Sequence, residues 1–266
     1  MRGLVWVYSS FGLLLFLLWS TPVSSQEEQV KDKYQWVTLC LVWTAKYDDN
    51  EQVFFSQYLK DKWTIPVQIS SGASTKFHAT GTIARNGVVW IAWTQVDKKG
   101  NFLYLASIRN GVFAKAKKIN TDMVDNREAT IAIDGSNRVL LAWTAIDKNY
   151  PDIFWLIRNG QKWSKTKKVH INNNVPDGGP SLITDENANI FLSWKTYSDG
   201  ASVGRFKKLT GGFWQDDVQY EKWYNTIMKT RRKHTPKLPK SVWEAGNATY
   251  LFMDSYGAGV LPALNR

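Results

Sequence analysis

Residues able to handle protons or charge recur at related points along this chain. His78 and Glu128 stand 50 positions apart, Arg127 precedes Glu128, and Asp177 and Lys240 occupy comparable places further on, at or near the starts of apolar runs. A carboxyl pair such as Glu128 and Asp177 is the minimum equipment for glycoside hydrolysis. One carboxyl would serve as general acid and the other as base, and their separation would decide the stereochemical outcome. The same rim of His78, Arg127, Glu128, Asp177 and Lys240 also suits a site that holds a polyhydroxylated ligand and leaves it unchanged. A third reading is open: charged residues in loops occur simply because water solvates them. Spacing alone assigns no catalytic residue, and Glu128 and Asp177 are the candidates. A further acidic set, Asp48, Asp49, Asp97, Asp147, Asp152 and Asp199, falls in polar stretches that read as loops.

A different chemistry is written in KTRRKHTPKLPK, residues 229–240, where Lys229, Arg231, Arg232, Lys233, Lys237 and Lys240 accompany two prolines and no acid. On an exposed loop this cluster suits a polyanion such as acidic polysaccharide, or is a solvated basic loop. The whole chain of 266 residues is basic, with a formal net charge of +11. Nucleic acid would match that charge, but the export signal described next argues against it. His78, His170 and His234 are too far apart for a local metal motif. No glycine-rich phosphate loop follows a strand and no G-x-S-x-G elbow is present, so no cofactor is expected. The single cysteine, Cys40, excludes an intramolecular disulfide and lies in an apolar run as a small core residue.

At the start of the chain, Arg2 precedes an uninterrupted apolar run from Phe11 to Trp19, with Val23 and Ser25 at small-residue positions. Residues 1–25 read as a signal peptide, leaving a mature domain over 26–266. The localisation implied is secreted or periplasmic. An uncleaved anchor is the alternative, because the tract approaches the lower limit of a membrane span.

The elements that position these residues repeat. LVWTA, IAWTQ, LAWTA and LSWKT place Trp43, Trp93, Trp143 and Trp194 at spacings of 50, 50 and 51, and Lys117-Lys118 returns as Lys167-Lys168. Each unit reads as four short strands rich in β-branched and aromatic residues. In the third unit these are 129–133, 139–144, 153–157 and 163–171, with a polar loop from Asp147 to Asp152 and Asn159-Gly160 as a hairpin signal. Four-stranded antiparallel units at a period of about 50 residues predict an all-β fold, a β-propeller of about five blades. The strand count leaves the closure of the ring open, and the basic segment over 221–240 reads as an inserted loop. The 14 tryptophans are then mainly architectural: the four repeated ones suit packing between blades, while Trp63, Trp163 and Trp214 suit outer strands. Trp36, Trp90, Trp155, Trp223 and Trp243 are less regular and are the ones that could bind ligand.

Residues 152–172 and 174–200 resemble the repeat of the sialidase-like, BNR/Asp-box propellers of secreted proteins. The third unit keeps Gly160 and Trp163 at the separation of that motif, with Leu156, Arg158 and Lys162 where its Ser, Asp and Thr belong. The second keeps Gly111 with Phe113 one residue early, and the fourth keeps Gly211 and Trp214. The resemblance implies the propeller fold and glycan-facing surfaces. In that family, catalysis rests on three arginines clamping a carboxylate, a Tyr–Glu pair and an Asp. This chain has no arginine between Arg2 and Arg85 and no Arg-Ile-Pro motif, so the departure points away from catalysis. The expected function is a non-catalytic exported propeller binding carbohydrate or a protein partner through its loop face. The alternative is a glycoside hydrolase using funnel carboxylates.

Overall fold

The computed structural model describes residues 38–123, 125–147, 149–170, 174–216, 222–226, 229, 232, 235–238, 248–254 and 257–262. The expected leader over 1–25 lies outside them. Three sheets follow the repeat. Their first three strands are Lys76–Ile83, Val89–Asp97 and Gly100–Arg109 in the second sheet. In the third they are Asn126–Ile133, Val139–Asp147 and Tyr150–Asn159, and in the fourth Asp177–Thr184, Ile190–Ser198 and Ala201–Thr210. All neighbours are antiparallel, and short outer strands complete each sheet. The chain is an all-β propeller, as the period predicts.

The first sheet explains the odd strand count. Thr38–Tyr47 and Asn50–Leu59 supply its second and third positions, and the C-terminal strand Thr249–Asp254 pairs antiparallel with Thr38–Tyr47 to supply its inner one. The last strand, Gly257–Pro262, pairs with Thr249–Asp254 and lies against the inner strands of the second and fourth sheets. The hairpin of Thr249–Asp254 and Gly257–Pro262 is therefore absorbed into the first sheet, and the described residues form four sheets rather than five. Physically, the first described strand, Thr38–Tyr47, takes the second position and would otherwise leave an unpaired edge.

Each repeated tryptophan fills one seam between sheets. Trp93 packs between the first and second sheets, Trp143 between the second and third, Trp194 between the third and fourth, and Trp43 between the fourth and first. The circuit of sheet-on-sheet packing is thus continuous, with these rings only 0–4% exposed. In three sheets the indole also stacks on its cross-strand neighbour, Trp43 on Phe54, Trp93 on Tyr104 and Trp143 on Phe154, at 5.7–6.3 Å. Near the axis Gly81 is obligatory in size: a Cβ there would lie 2.6 Å from both Leu251 Cδ1 and the Trp90 carbonyl oxygen.

Sequence readings of detail fare unevenly. Trp155 is a core residue against Trp214, Trp90 is partly buried under Arg158, and Trp223 packs on Phe191, so none of these three is a free sugar platform. Trp36 and Trp243 lie outside the described residues. The segment read as a polar loop from Asp147 to Asp152 is mostly strand, and Asp152 is 2% exposed. The basic segment is anchored. Trp63 Nε1 donates to the Lys237 carbonyl, Tyr250 donates to that of Pro236, and Leu238, Trp223 and Tyr224 join the seam between the fourth and first sheets.

Candidate functional site

The inner strands of the second, third and fourth sheets each break register near their start, between Phe77 and Thr80, Arg127 and Thr130, and Gly178 and Ser181. One residue of each bulge takes the left-handed conformation: His78 at φ 52°, Glu128 at 51° and Gly179 at 63°. Only glycine adopts that region without strain, so two of the three bulges hold a side chain where the backbone resists it. Hydrogen bonds between sheets offset this. The Glu128 N–H donates to His78 Nδ1 at 3.2 Å, and the Gly179 N–H donates to Glu128 Oε2 at 2.8 Å. Each bulge side chain therefore caps the bulge peptide of the next sheet, 50 or 51 residues on.

Beside this row, between the third and fourth sheets, opens a pocket of about 550 Å³. Asp125, Arg127, Glu128, Thr144 and Pro151 line it from the third sheet, and Pro176, Asp177, Gly178, Lys195 and Tyr197 from the fourth. Arg127 grips Asp125 through two contacts, Nε to Oδ1 at 3.0 Å and a terminal nitrogen to Oδ2 at 2.9 Å. Glu128 Oε2 also accepts from Thr144 Oγ1 at 2.7 Å. Tyr197 is 47% exposed and offers an aromatic face at the mouth. Burial depresses the His78 imidazole below its usual range, with Arg127 acting in the same direction and Glu128 opposing. Both this direction and the geometry agree with Nδ1 accepting the Glu128 N–H.

Asp177 also belongs to a second, deeper group. Its Oδ1 accepts from Trp194 Nε1 at 3.1 Å and Thr196 Oγ1 at 2.6 Å, while its Oδ2 lies 2.5 Å from His170 Nε2. Asp152, on the third sheet, meets Lys168 at 2.6 Å through Oδ2, and Lys168 reaches Asp147 at 3.2 Å. Burial raises the Asp152 carboxyl despite Lys168. Burial works to lower Lys168, but its two aspartate partners outweigh this and raise it. The His170 ring lies flat on Trp194, 5.7 Å away at 8°, where the other sheets place a cross-strand aromatic.

Of the residues expected at a rim, the structure brings Arg127, Glu128 and Asp177 to one pocket and sets His78 against Glu128 from the second sheet. Lys240, Arg231 and Lys233 lie outside the described residues. Lys229 and Lys237 are exposed and Arg232 is half-buried. Sequence reasoning missed the grouping of Asp152, His170 and Lys168, and used Lys168 only as a marker of the repeat. The available signal was repeat arithmetic: residues 52, 70 and 76, residues 102, 120 and 126, and residues 152, 170 and 177 are equivalent, and only the third set is ionisable at every position.

No protein-family model matches the chain, and no curated protein matches it. Among solved structures, it is similar to a protein of unknown function from Dyadobacter fermentans, with a TM-score of 0.51 and 13% identity over 83% of this chain and 70% of that one. An endo-arabinase from Bacteroides thetaiotaomicron matches at a TM-score of 0.49 and 12% identity, over 68% of this chain and 75% of that one. A fucose lectin from Kordia zhangzhouensis matches at 0.34 and 15% identity, over 53% and 97%. At these identities the likeness concerns fold alone. No helix among the described residues is long and apolar enough to cross a membrane.

Proposed function

We propose that this chain is an exported propeller that binds carbohydrate without turning it over, using the pocket between the third and fourth sheets. The observation that carries the reading is the engagement of the pocket's acids. Glu128 already accepts from Thr144 and Gly179, Asp177 is bonded through both oxygens, and Asp125 is clamped by Arg127. Carboxyl oxygens already taken up by protein donors can offer their remaining lone pairs to sugar hydroxyls, whereas a general acid must present a free carboxyl to the leaving group. Arg127 and Lys195 supply donors, and Tyr197 supplies a flat face for the apolar side of a pyranose. The resemblance to sialidase-like propellers, with their arginine clamp missing here, supports the same reading. The basic segment over 221–240 adds attraction for acidic glycans.

A glycan array followed by calorimetry on the best oligosaccharide tests this. Tyr197→Ala and Glu128→Gln should each weaken binding about tenfold, as loss of one aromatic or charged contact implies. Absence of binding to any glycan would refute the carbohydrate reading and leave a protein partner. The glycoside hydrolase reading keeps one observation in its favour, that Glu128 and Asp177 line the same pocket. Release of reducing sugar by the wild type, abolished in Glu128→Gln, would establish it over the binding reading.

A further inference from the structure

We propose that Asp152, His170 and Asp177 form a binding site for one transition-type divalent cation, of which Zn²⁺ is the representative, bridging the third and fourth sheets. One donor atom from each of the three residues lies within 4.8 Å of the other two. Two of the residues are buried aspartates, 2% and 1% exposed, on different sheets. Asp152 Oδ1 is buried, has no hydrogen-bond partner, and lies 3.9 Å from His170 Nε2. Most buried carboxylate oxygens find a donor or a cation, and this one faces an imidazole and a second buried carboxylate, so its open lone pairs point to a ligand between the three residues.

The surrounding contacts are those that orient metal ligands. Trp194 Nε1 and Thr196 Oγ1 hold Asp177 Oδ1, which turns Oδ2 toward the centre. Lys168 holds Asp152 Oδ2, which leaves Oδ1 as the inward atom. Stacking on Trp194 fixes the plane of the His170 ring. Hydrogen-bonded carboxylates and an oriented imidazole are the usual outer support of such a centre. On binding, the cation takes the place of the hydrogen bond between His170 Nε2 and Asp177 Oδ2, whose proton leaves to solvent.

Ligand chemistry selects the metal. One imidazole with two carboxylates suits Zn²⁺ and its neighbours, whereas Ca²⁺ demands six to eight oxygens. Three protein ligands leave a fourth position open, and a cavity of about 210 Å³ lined by His170, Trp194, Thr196, Arg205, Lys207 and Asp216 gives water access to it. The equivalent positions at the two preceding seams carry nothing comparable. Between the first and second sheets they hold Gln52, Ser70 and Lys76, already mutually bonded or bonded to carbonyls. Between the second and third they hold Phe102, Asn120 and Asn126.

The test is a calorimetric titration of the chelator-treated full protein with ZnCl₂, with CaCl₂ in parallel and metal content checked by elemental analysis. One equivalent of Zn²⁺ should bind, with a rise in melting temperature, and Ca²⁺ should not compete. Asp152→Asn and His170→Gln should lose this binding, and Thr196→Val, which leaves all three ligands in place, should weaken it about tenfold to a hundredfold. Circular dichroism would show that the variants remain folded, and Thr196→Val carries the test if either ligand variant does not fold. No stoichiometric binding by the wild type, or binding unchanged in the variants, would overturn the proposal.

Discussion

Two seams of the propeller use the same three repeat positions in opposite ways. Between the first and second sheets, Ser70 Oγ donates to Gln52 Oε1 at 2.8 Å and accepts the Val53 N–H, while the buried Lys76 ammonium donates to the carbonyls of Gly72 and Ser74. These three side chains form a closed clasp: Ser70 is held by Gln52, Gln52 donates to the Gly72 carbonyl, and Lys76 donates to backbone carbonyls. Between the third and fourth sheets the counterparts are Asp152, His170 and Asp177, which carry acid and imidazole across the seam and leave a buried oxygen open. The tryptophans record the same contrast. Trp93 and Trp143 keep their indole N–H groups unpartnered, whereas Trp194 donates to Asp177. The repeat provides equivalent sockets, and substitution within one socket turns a structural joint into a place where chemistry is concentrated.

The sharpest way to break the comparison is at the inner-strand position. Asp177→Ala removes the acceptor of three groups inside a charged cluster and should cost about 3–5 kcal/mol in urea unfolding, as deletion of one partner of a buried ionic network does. Asn126→Ala, at the same repeat position one seam away, removes only neutral bonds to Asn101, Met123 and Thr121 and should cost about 1–3 kcal/mol. Equal losses would show that the two seams are energetically alike. Ser70→Ala in the closed clasp should cost less again, about 1–2 kcal/mol, since Gln52 keeps its bond to Gly72.

Acidity separates the bulge row from the seams. The folded imidazole of His78 titrates below its ordinary value of 6.5. Its contribution to stability is therefore complete above that value and is lost as the pH falls through the lower folded one. Urea midpoints should drop between neutrality and about pH 5, where an ordinary histidine is fully charged. In His78→Gln the drop should be shallower. A comparably small effect is expected at Gly179, where a Cβ meets nothing within 4 Å but φ is +63°. Gly179→Ala should cost about 1–2 kcal/mol through backbone strain alone. A much larger loss would show that the pocket wall is tighter than its geometry implies.

The repeat and the seam tryptophans were legible because a period near 50 in large aromatic residues has few other physical causes. The placing of Arg127, Glu128 and Asp177 at one mouth was legible for the same reason, since the starts of the inner strands of a propeller share a face. Pairing of Thr249–Asp254 with Thr38–Tyr47 was not, because it joins the two ends of the chain and no local pattern records a partner so distant in sequence. Nor was Asp152: flanked by Pro151 and charged, it has the composition of a loop, and its burial depends on Lys168 arriving from another strand.

The central claim is that the pocket between the third and fourth sheets receives a sugar. Backbone amide shifts measured by NMR while an array-selected oligosaccharide is titrated into the protein test it most directly. The account predicts that perturbations concentrate at residues 125–128, 176–179 and 195–197. Perturbations confined instead to the opposite mouth, around 85–86, 134–137 and 185–188, would contradict it.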